Sequence, residues 1–155
     1  IGHIQVRGDN VFAGYWQMPE KTREAFTPDG FFRTGDLGRF DADGYLAIIG
    51  RDKDLIITGG LNVYPKEIEE AIDALPGVAE SAVIGLPHPD FGEAVTAVVV
   101  RRRDASGLTA EGLIAALKGS IAGFKVPKAV HFVDDLPRNA MGKVQKSLLR
   151  QRFAA

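Results

Sequence analysis

Apolar and polar positions alternate in short stretches along this chain, and glycine and proline separate them into small elements. Ile1 to Val6 (IGHIQV) reads as a strand already in progress at the first residue. Residues 1 to 50 read as strands and turns, with Asp29-Gly30 and Asp43-Gly44 as turn dipeptides. The second sits between Phe40 and the run Tyr45-Leu46-Ala47-Ile48-Ile49, which predicts a hairpin. Pro19 to Phe26 (PEKTREAF) is the exception, because proline and acidic residues at its start suit the first turn of a short helix.

The character changes after Gly50. Arg51-Asp52-Lys53-Asp54 separates two apolar runs and is a candidate linker between domains. Leu55 to Thr58 is a short strand broken by Gly59-Gly60. Pro65 opens a helix with Ile68, Ala71, Ile72 and Leu75 on one face, stopped by Pro76-Gly77. Residues 79 to 86 and 94 to 100 (AVTAVVV) are strands, joined through Pro87 to Gly92. Thr109 caps a helix carrying Leu113, Ile114, Leu117 and Ile121 on one face. Ala129 to Val133 is a further strand, and Val144 to Phe153 a terminal helix. The order predicts an α+β fold, with helices on one face of a small, mainly antiparallel sheet of three strands.

Composition narrows the function classes. At 45% hydrophobic and 25% charged residues the chain is globular in type, and no apolar run approaches the roughly 18 residues that cross a bilayer. Lys+Arg 19 against Asp+Glu 20 leaves a net charge of -1, so no overall basic field favours nucleic acid or an anionic membrane. Zero cysteines remove disulfides, thiolate catalysis and cysteine-ligated metal sites, and suit a cytoplasmic location. With no initiator Met, the chain is expected to be part of a longer one.

Several chemistries are disfavoured by spacing. His3, His88 and His131 are far apart and form no i, i+4 pair, so no metal site is expected on them. No G-x-S-x-G or G-x-G-x-x-G occurs. Asp41-Ala42-Asp43-Gly44 lacks the outer ligands of a calcium loop, with Arg39 and Gly50 where oxygens belong. Pro137 to Val144 (PRNAMGKV) has Pro in place of the first glycine of a Walker A loop and Val144 where Mg²⁺ needs a hydroxyl.

Three stretches place polar residues or glycines where packing alone would not. In Phe32-Arg33-Thr34-Gly35-Asp36-Leu37, Asp36 alone reads as a turn-stabilising residue, but a carboxylate there can also hold the vicinal hydroxyls of a ribose. In GRDKDLIITGGLNVYPKEIE (50 to 69), Arg51 and Lys53 flank the linker, and Gly59-Gly60 permits close approach of a ligand. In PRNAMGK (137 to 143), Lys143 ends a loop that looks flexible, and singly it reads as solvated.

In this order the three stretches resemble signature motifs of the adenylate-forming superfamily: acyl-CoA synthetases, non-ribosomal peptide adenylation domains and beetle luciferases. FRTGDL is similar to the family's Y-R-T-G-D-L, the second stretch to its hinge motif and PRNAMGK to its C-terminal lysine motif. Finer similarity in NVFAGYWQMPEKT, VIGLPHPDFGEAVTAVVV and LPRNAMGKVQK points to the malonyl-CoA synthetase branch. The resemblance implies that residues 1 to 50 are a β-hairpin remnant ending a large N-terminal domain, 51 to 53 a hinge, and 54 to 155 a complete C-terminal lid domain.

It also implies a two-step ligase. A carboxylic acid attacks the α-phosphate of ATP to give acyl-AMP and pyrophosphate, and the thiol of CoA then displaces AMP. Lys143 would be the catalytic lysine of the first step, Asp36 and Arg51 would bind the nucleotide, and Lys53 would be the hinge residue. Gly59 and Gly60 would border the pantetheine tunnel of the second step. ATP and CoA would be co-substrates, with Mg²⁺ held by the absent N-terminal domain, which would be this chain's main partner beside a small carboxylic acid. The isolated chain is therefore expected to be inactive, and the acid pocket to lie outside it.

Two departures qualify the match. Phe32 replaces the family's Tyr, losing a hydroxyl but keeping the packing, and Ile57 stands where luciferases and aryl-CoA ligases often carry a basic residue. Lys125, Lys128 and Arg101-Arg102-Arg103 could meet CoA phosphates, although strand ends and loops are the plainer reading. The alternatives are a medium- or long-chain fatty-acyl-CoA ligase, an adenylation domain loading a carrier protein, or a small α+β binding module, for instance for RNA. Against the last, no RNP1-like aromatic run offers a stacking platform.

Overall fold

The computed structural model describes residues 1–105 and 107–154; Ser106 and Ala155 lie outside the described residues. The chain divides into two compact units, Ile1–Lys53 and Asp54–Ala155.

In the first unit, β1 (Gly2–Val6), β2 (Phe32–Phe40) and β3 (Leu46–Arg51) form an antiparallel sheet with β2 in the centre. The β2–β3 connection is the expected hairpin. Asp41 Oδ1 accepts from the amides of Asp43 (3.0 Å) and Tyr45 (2.8 Å), while Gly44 takes the left-handed φ of +86° that closes the turn. Gly38 is fixed by crowding: a Cβ there would lie 2.8 Å from Ile4 Cδ1 and 2.9 Å from the Ala47 carbonyl. Helix α1 (Pro19–Ala25) follows a loop whose Phe12 packs edge-on against Phe32, with ring centroids 5.1 Å apart; Phe26 lies 5.5 Å from Phe32. Phe32 is therefore held by aromatic packing that needs no hydroxyl.

The second unit begins in the 3-10 turn Asp52–Asp54 and continues with β4 (Ile56–Thr58), β5 (Leu61–Val63), α2 (Pro65–Asp73), β6 (Val78–His88), β7 (Gly92–Arg101), α3 (Ala110–Lys118), β8 (Ala129–Val133) and α4 (Lys146–Phe153). The α+β class holds, but the sheet differs from expectation in two respects. It has five strands, in the order β5-β4-β7-β6 with β8 also on β7, and the β7–β8 pair is parallel. The pair's connection through helix α3 is long enough to cross over and so permits the parallel arrangement, whereas a short turn would force the strands antiparallel.

Helices cover both faces rather than one. On one face Ile68 and Ile72 of α2 and Leu113 and Leu117 of α3 pack on Val83, Val95, Ala97 and Val99; on the other, Leu149 of α4 packs with Leu136 on Ala82, Ile84 and Val98. This arrangement accounts for the unalternating AVTAVVV of β7, since a strand buried on both sides needs apolar residues at successive positions. Full burial of one such Ile or Leu contributes about 1.5–3 kcal/mol.

The outer edge of β6 is closed by side chains. Glu69 Oε1 accepts from the Val83 amide at 2.8 Å and pairs with Lys146 Nζ at 2.6 Å, tying α2 and α4 together around the strand. Among the described residues, no helix is long and apolar enough to cross a membrane.

Candidate functional site

Asp36 and Arg51 face each other across β2 and β3, and Arg51 Nε lies 2.7 Å from Asp36 Oδ1. The local sequence explains the placement. Thr34 Oγ1 donates to the Ile4 carbonyl of β1 at 2.9 Å and accepts from the Asp36 amide at 3.1 Å. Gly35 between them takes φ +75°, a left-handed bend that a side chain would oppose. The Asp36 side chain is 22% exposed, so one face of a fixed carboxylate remains open. Among the described residues Oδ2 makes no hydrogen bond, which leaves it free to accept from a ligand hydroxyl.

Lys53 is exposed in the 3-10 turn and is the last residue of the first unit. The next residue, Asp54, is anchored within the second unit by Arg150 of α4 at 3.0 Å. The change from one unit to the next thus falls between a solvated lysine and a tethered aspartate.

Gly59 and Gly60 form the two-residue loop of the β4–β5 hairpin, with φ of +56° and +79°. Left-handed values at both positions are those of a type I′ turn, which is why glycine suits them. Among the described residues a Cβ at either would meet nothing within 4 Å, so here the demand for glycine is conformational rather than steric. Strand β5 itself was not expected; its three residues are too few to carry a periodic signal.

The Lys143 loop is an organised turn rather than a flexible segment. Asn139 Oδ1 accepts from the amides of Met141 (3.0 Å) and Lys143 (2.9 Å), and the Asn139 amide donates to the Lys143 carbonyl at 2.9 Å. Gly142 completes the turn at φ +77°. Lys143 is exposed and, among the described residues, makes no ion pair. Arg138 donates from Nη1 to the Gly142 carbonyl at 2.7 Å and pairs through Nη2 with Glu80 of β6. Asn139, Arg138 and Glu80 were not singled out from sequence. An Asn three residues before a Gly is a turn signal for the first, whereas nothing local points to Glu80.

Asp36, Arg51 and Lys53 thus belong to the first unit, and Gly59, Gly60 and Lys143 to the second. Within the second, the Lys143 turn and the glycine turn lie at opposite ends of one ladder. Arg138 is tied to Glu80 near the start of β6, whereas the Gly59 amide donates to the Phe91 carbonyl at 2.8 Å, beside the His88↔Gly92 end. Eight residue steps of strand, about 26 Å, carry β6 from Glu80 to His88.

The other basic candidates are largely engaged within the chain. Lys125 Nζ makes two contacts to Glu67, at 2.6 and 2.7 Å, and Arg102 Nε donates to the Val78 carbonyl at 2.9 Å. Arg101 stacks 3.5 Å from the Phe132 ring centre, and Lys128 lies 5.4 Å from that of Phe91. Exposed Ile57 donates its amide to Glu93 Oε2 at 2.7 Å. Among the described residues no group of three or more His, Cys, Asp or Glu side chains could hold a metal ion.

A family profile described as the AMP-binding enzyme C-terminal domain matches residues 67–143. The feruloyl-CoA synthase of Amycolatopsis sp is 47% identical over 152 residues, 98% of this chain and 30% of that protein. Among solved structures, ATP-bound MatB from Rhodopseudomonas palustris is 62% identical with a TM-score of 0.93, over 99% of this chain and 30% of its own. Apo MatB from the same organism, at 63% identity and the same coverage, gives a TM-score of 0.71. The chain therefore spans about 30% of the length of the relatives it matches. It belongs to the adenylate-forming, AMP-binding enzyme family and carries that family's C-terminal domain.

Proposed function

We propose that this chain is the C-terminal part of an ATP-dependent acid–thiol ligase, with residues 1–50 closing a large N-terminal domain, 51–53 acting as hinge and 54–155 as a mobile lid. A carboxylate oxygen attacks the α-phosphorus of ATP and pyrophosphate leaves; the sulfur of CoA then attacks the acyl carbonyl and AMP leaves. Negative charge builds on phosphate oxygens in the first step. A lysine ammonium held at that position stabilises it, and one such preorganised donor is worth roughly 10²–10³ in rate. Lys143 fits the role because its turn is built by Asn139 and Gly142 while its ammonium has no partner among the described residues. Asp36, oriented by Arg51, accepts from the ribose hydroxyls.

The observation that carries the proposal is the roughly 26 Å between the places where the Lys143 and Gly59-Gly60 turns are tied to the β6–β7 ladder. A lid with its adenylating lysine at one end and its glycine turn at the other serves two steps only by turning between them, which a solvated pivot at Lys53 permits. The unequal fit of the ATP-bound and apo structures of MatB supports a segment with more than one arrangement in that relative. A malonate-type dicarboxylic acid is the proposed substrate, from the motif resemblance and the likeness to MatB, a malonyl-CoA synthetase.

The test separates the steps in the full-length ligase. Lys143→Ala is expected to lower acid-dependent pyrophosphate release at least 100-fold while thioester formation from supplied acyl-adenylate persists. Equal loss of both would overturn the role. Pyrophosphate release across short mono- and dicarboxylic acids identifies the substrate, and transfer to a carrier protein in place of free CoA would favour a carrier-loading enzyme.

A further inference from the structure

The hydrogen bonds of Asn139 and Gly142 shape the Lys143 turn but do not orient it on the sheet. Leu136 and Val144 seat its base against Ala82, Ile84 and Val98, and the polar tie from the tip of the turn to β6 is Arg138, whose Nη1 donates to the Gly142 carbonyl and whose Nη2 pairs with Glu80. A planar guanidinium presents two nitrogens to two acceptors in a fixed fork, a geometry that the single nitrogen of a lysine does not reproduce.

Glu80 comes to face the turn through an irregularity of β6. Val78 and Glu80 would share a face in a regular strand, but the register shifts between them: Val78 pairs with Arg101 and Glu80 with Val100. Val78 accordingly packs in the cluster with α2 and α3, while Ala82 and Ile84, in phase with Glu80, pack on the side of Leu136 and α4. Leu136 leads directly into the Pro137–Lys143 stretch. The bulge thus re-aims one carboxylate from the α2 face toward Arg138.

We infer that Glu80 and Arg138 are a positioning pair for Lys143, setting the height and direction from which its ammonium approaches the reacting phosphate. The side chains are 31% and 39% exposed, and an ion pair at that exposure contributes little to folding. Its effect is on placement, where an error of about 1 Å can cost on the order of 10²-fold in rate. This inference rests on the proposed role of Lys143 in adenylation.

The experiment uses the full-length ligase with three variants. Glu80→Gln removes the charge at constant size, Arg138→Lys keeps the charge but loses the fork, and Lys143→Ala is the control. Each of the first two is expected to lower kcat for pyrophosphate release about tenfold or more, with the KM for ATP within about twofold. Thioester formation from supplied acyl-adenylate and the thermal midpoint should stay near those of the parent. The double variant should be no slower than the slower single, because both break one linkage. Unchanged pyrophosphate release in both singles, or equal loss in both steps with a lowered midpoint, would overturn the pair. If Lys143→Ala leaves adenylation intact, the reading of Lys143 itself falls; if it abolishes adenylation while Glu80→Gln and Arg138→Lys do not, only the positioning pair falls.

Discussion

Glu93 ties the short strand β4 to the long hairpin, and one glycine makes room for it. Its Oε2 accepts from the Ile57 amide, and its carboxylate lies over Gly85, where an added Cβ would sit 2.5 Å from Oε1 and 2.8 Å from Cδ. The side chain or the backbone would have to move, and the hydrogen bond to β4 would be lost. Gly85→Ala is expected to destabilise the second unit by about 0.5–1.5 kcal/mol, the usual net worth of the one hydrogen bond that Glu93 gives up when its carboxylate moves aside. Urea unfolding of the chain checks it, and an unchanged midpoint would show that Glu93 can swing clear. The residues around Asp36 follow the same logic of one bond fixing the next: Thr34 pins β1, Gly35 bends, and Arg51 takes one carboxylate oxygen. Thr34, Gly35 and Asp36 are adjacent, so their chemistry is readable from the motif. The partnership of Asp36 with Arg51 depends on the β2–β3 register and is not.

Helix α3 has nine residues, too few to persist alone in water, so its stability comes from its cap and its packing. Thr109 accepts from the Gly112 amide at 3.1 Å, while Leu113 and Leu117 are fully buried against the sheet. Thr109→Ala is expected to cost about 1 kcal/mol, measured as a lower unfolding midpoint with an unchanged denaturant slope. Elements such as α3 were legible because cap and apolar spacing lie within a few residues of each other. The placement of α4 opposite α2 was not, since apolar spacing says which face of a helix is buried but not which side of the sheet receives it. The parallel β8 was only half legible: a helix between two strands permits a crossover, as α3 makes between β7 and β8, but α2 joins the antiparallel β5 and β6 of the same sheet. Glu80 was out of reach, because its direction is set by a register shift that leaves no mark in the alternation of residues 78 to 84.

At the scale of the whole molecule, Gly59 allows two explanations of one residue to be separated. Its φ of +56° in a two-residue hairpin accounts for glycine without any ligand, and among the described residues nothing lies within 4 Å of an added Cβ. If the turn were the whole reason, Asn would serve as well, because Asn-Gly is a favoured type I′ pair and Asn tolerates the left-handed region. If the turn also borders the pantetheine path in the second step, the same side chain stands in the way of the thiol. Gly59→Asn in the full-length ligase is therefore expected to keep the thermal midpoint and pyrophosphate release, yet to lower thioester formation from supplied acyl-adenylate by about tenfold or more. The expected pattern is the inverse of that for Lys143→Ala, as it must be if opposite ends of one ladder serve opposite halves of the reaction. Normal thioester formation in Gly59→Asn would reduce the glycine pair to turn chemistry.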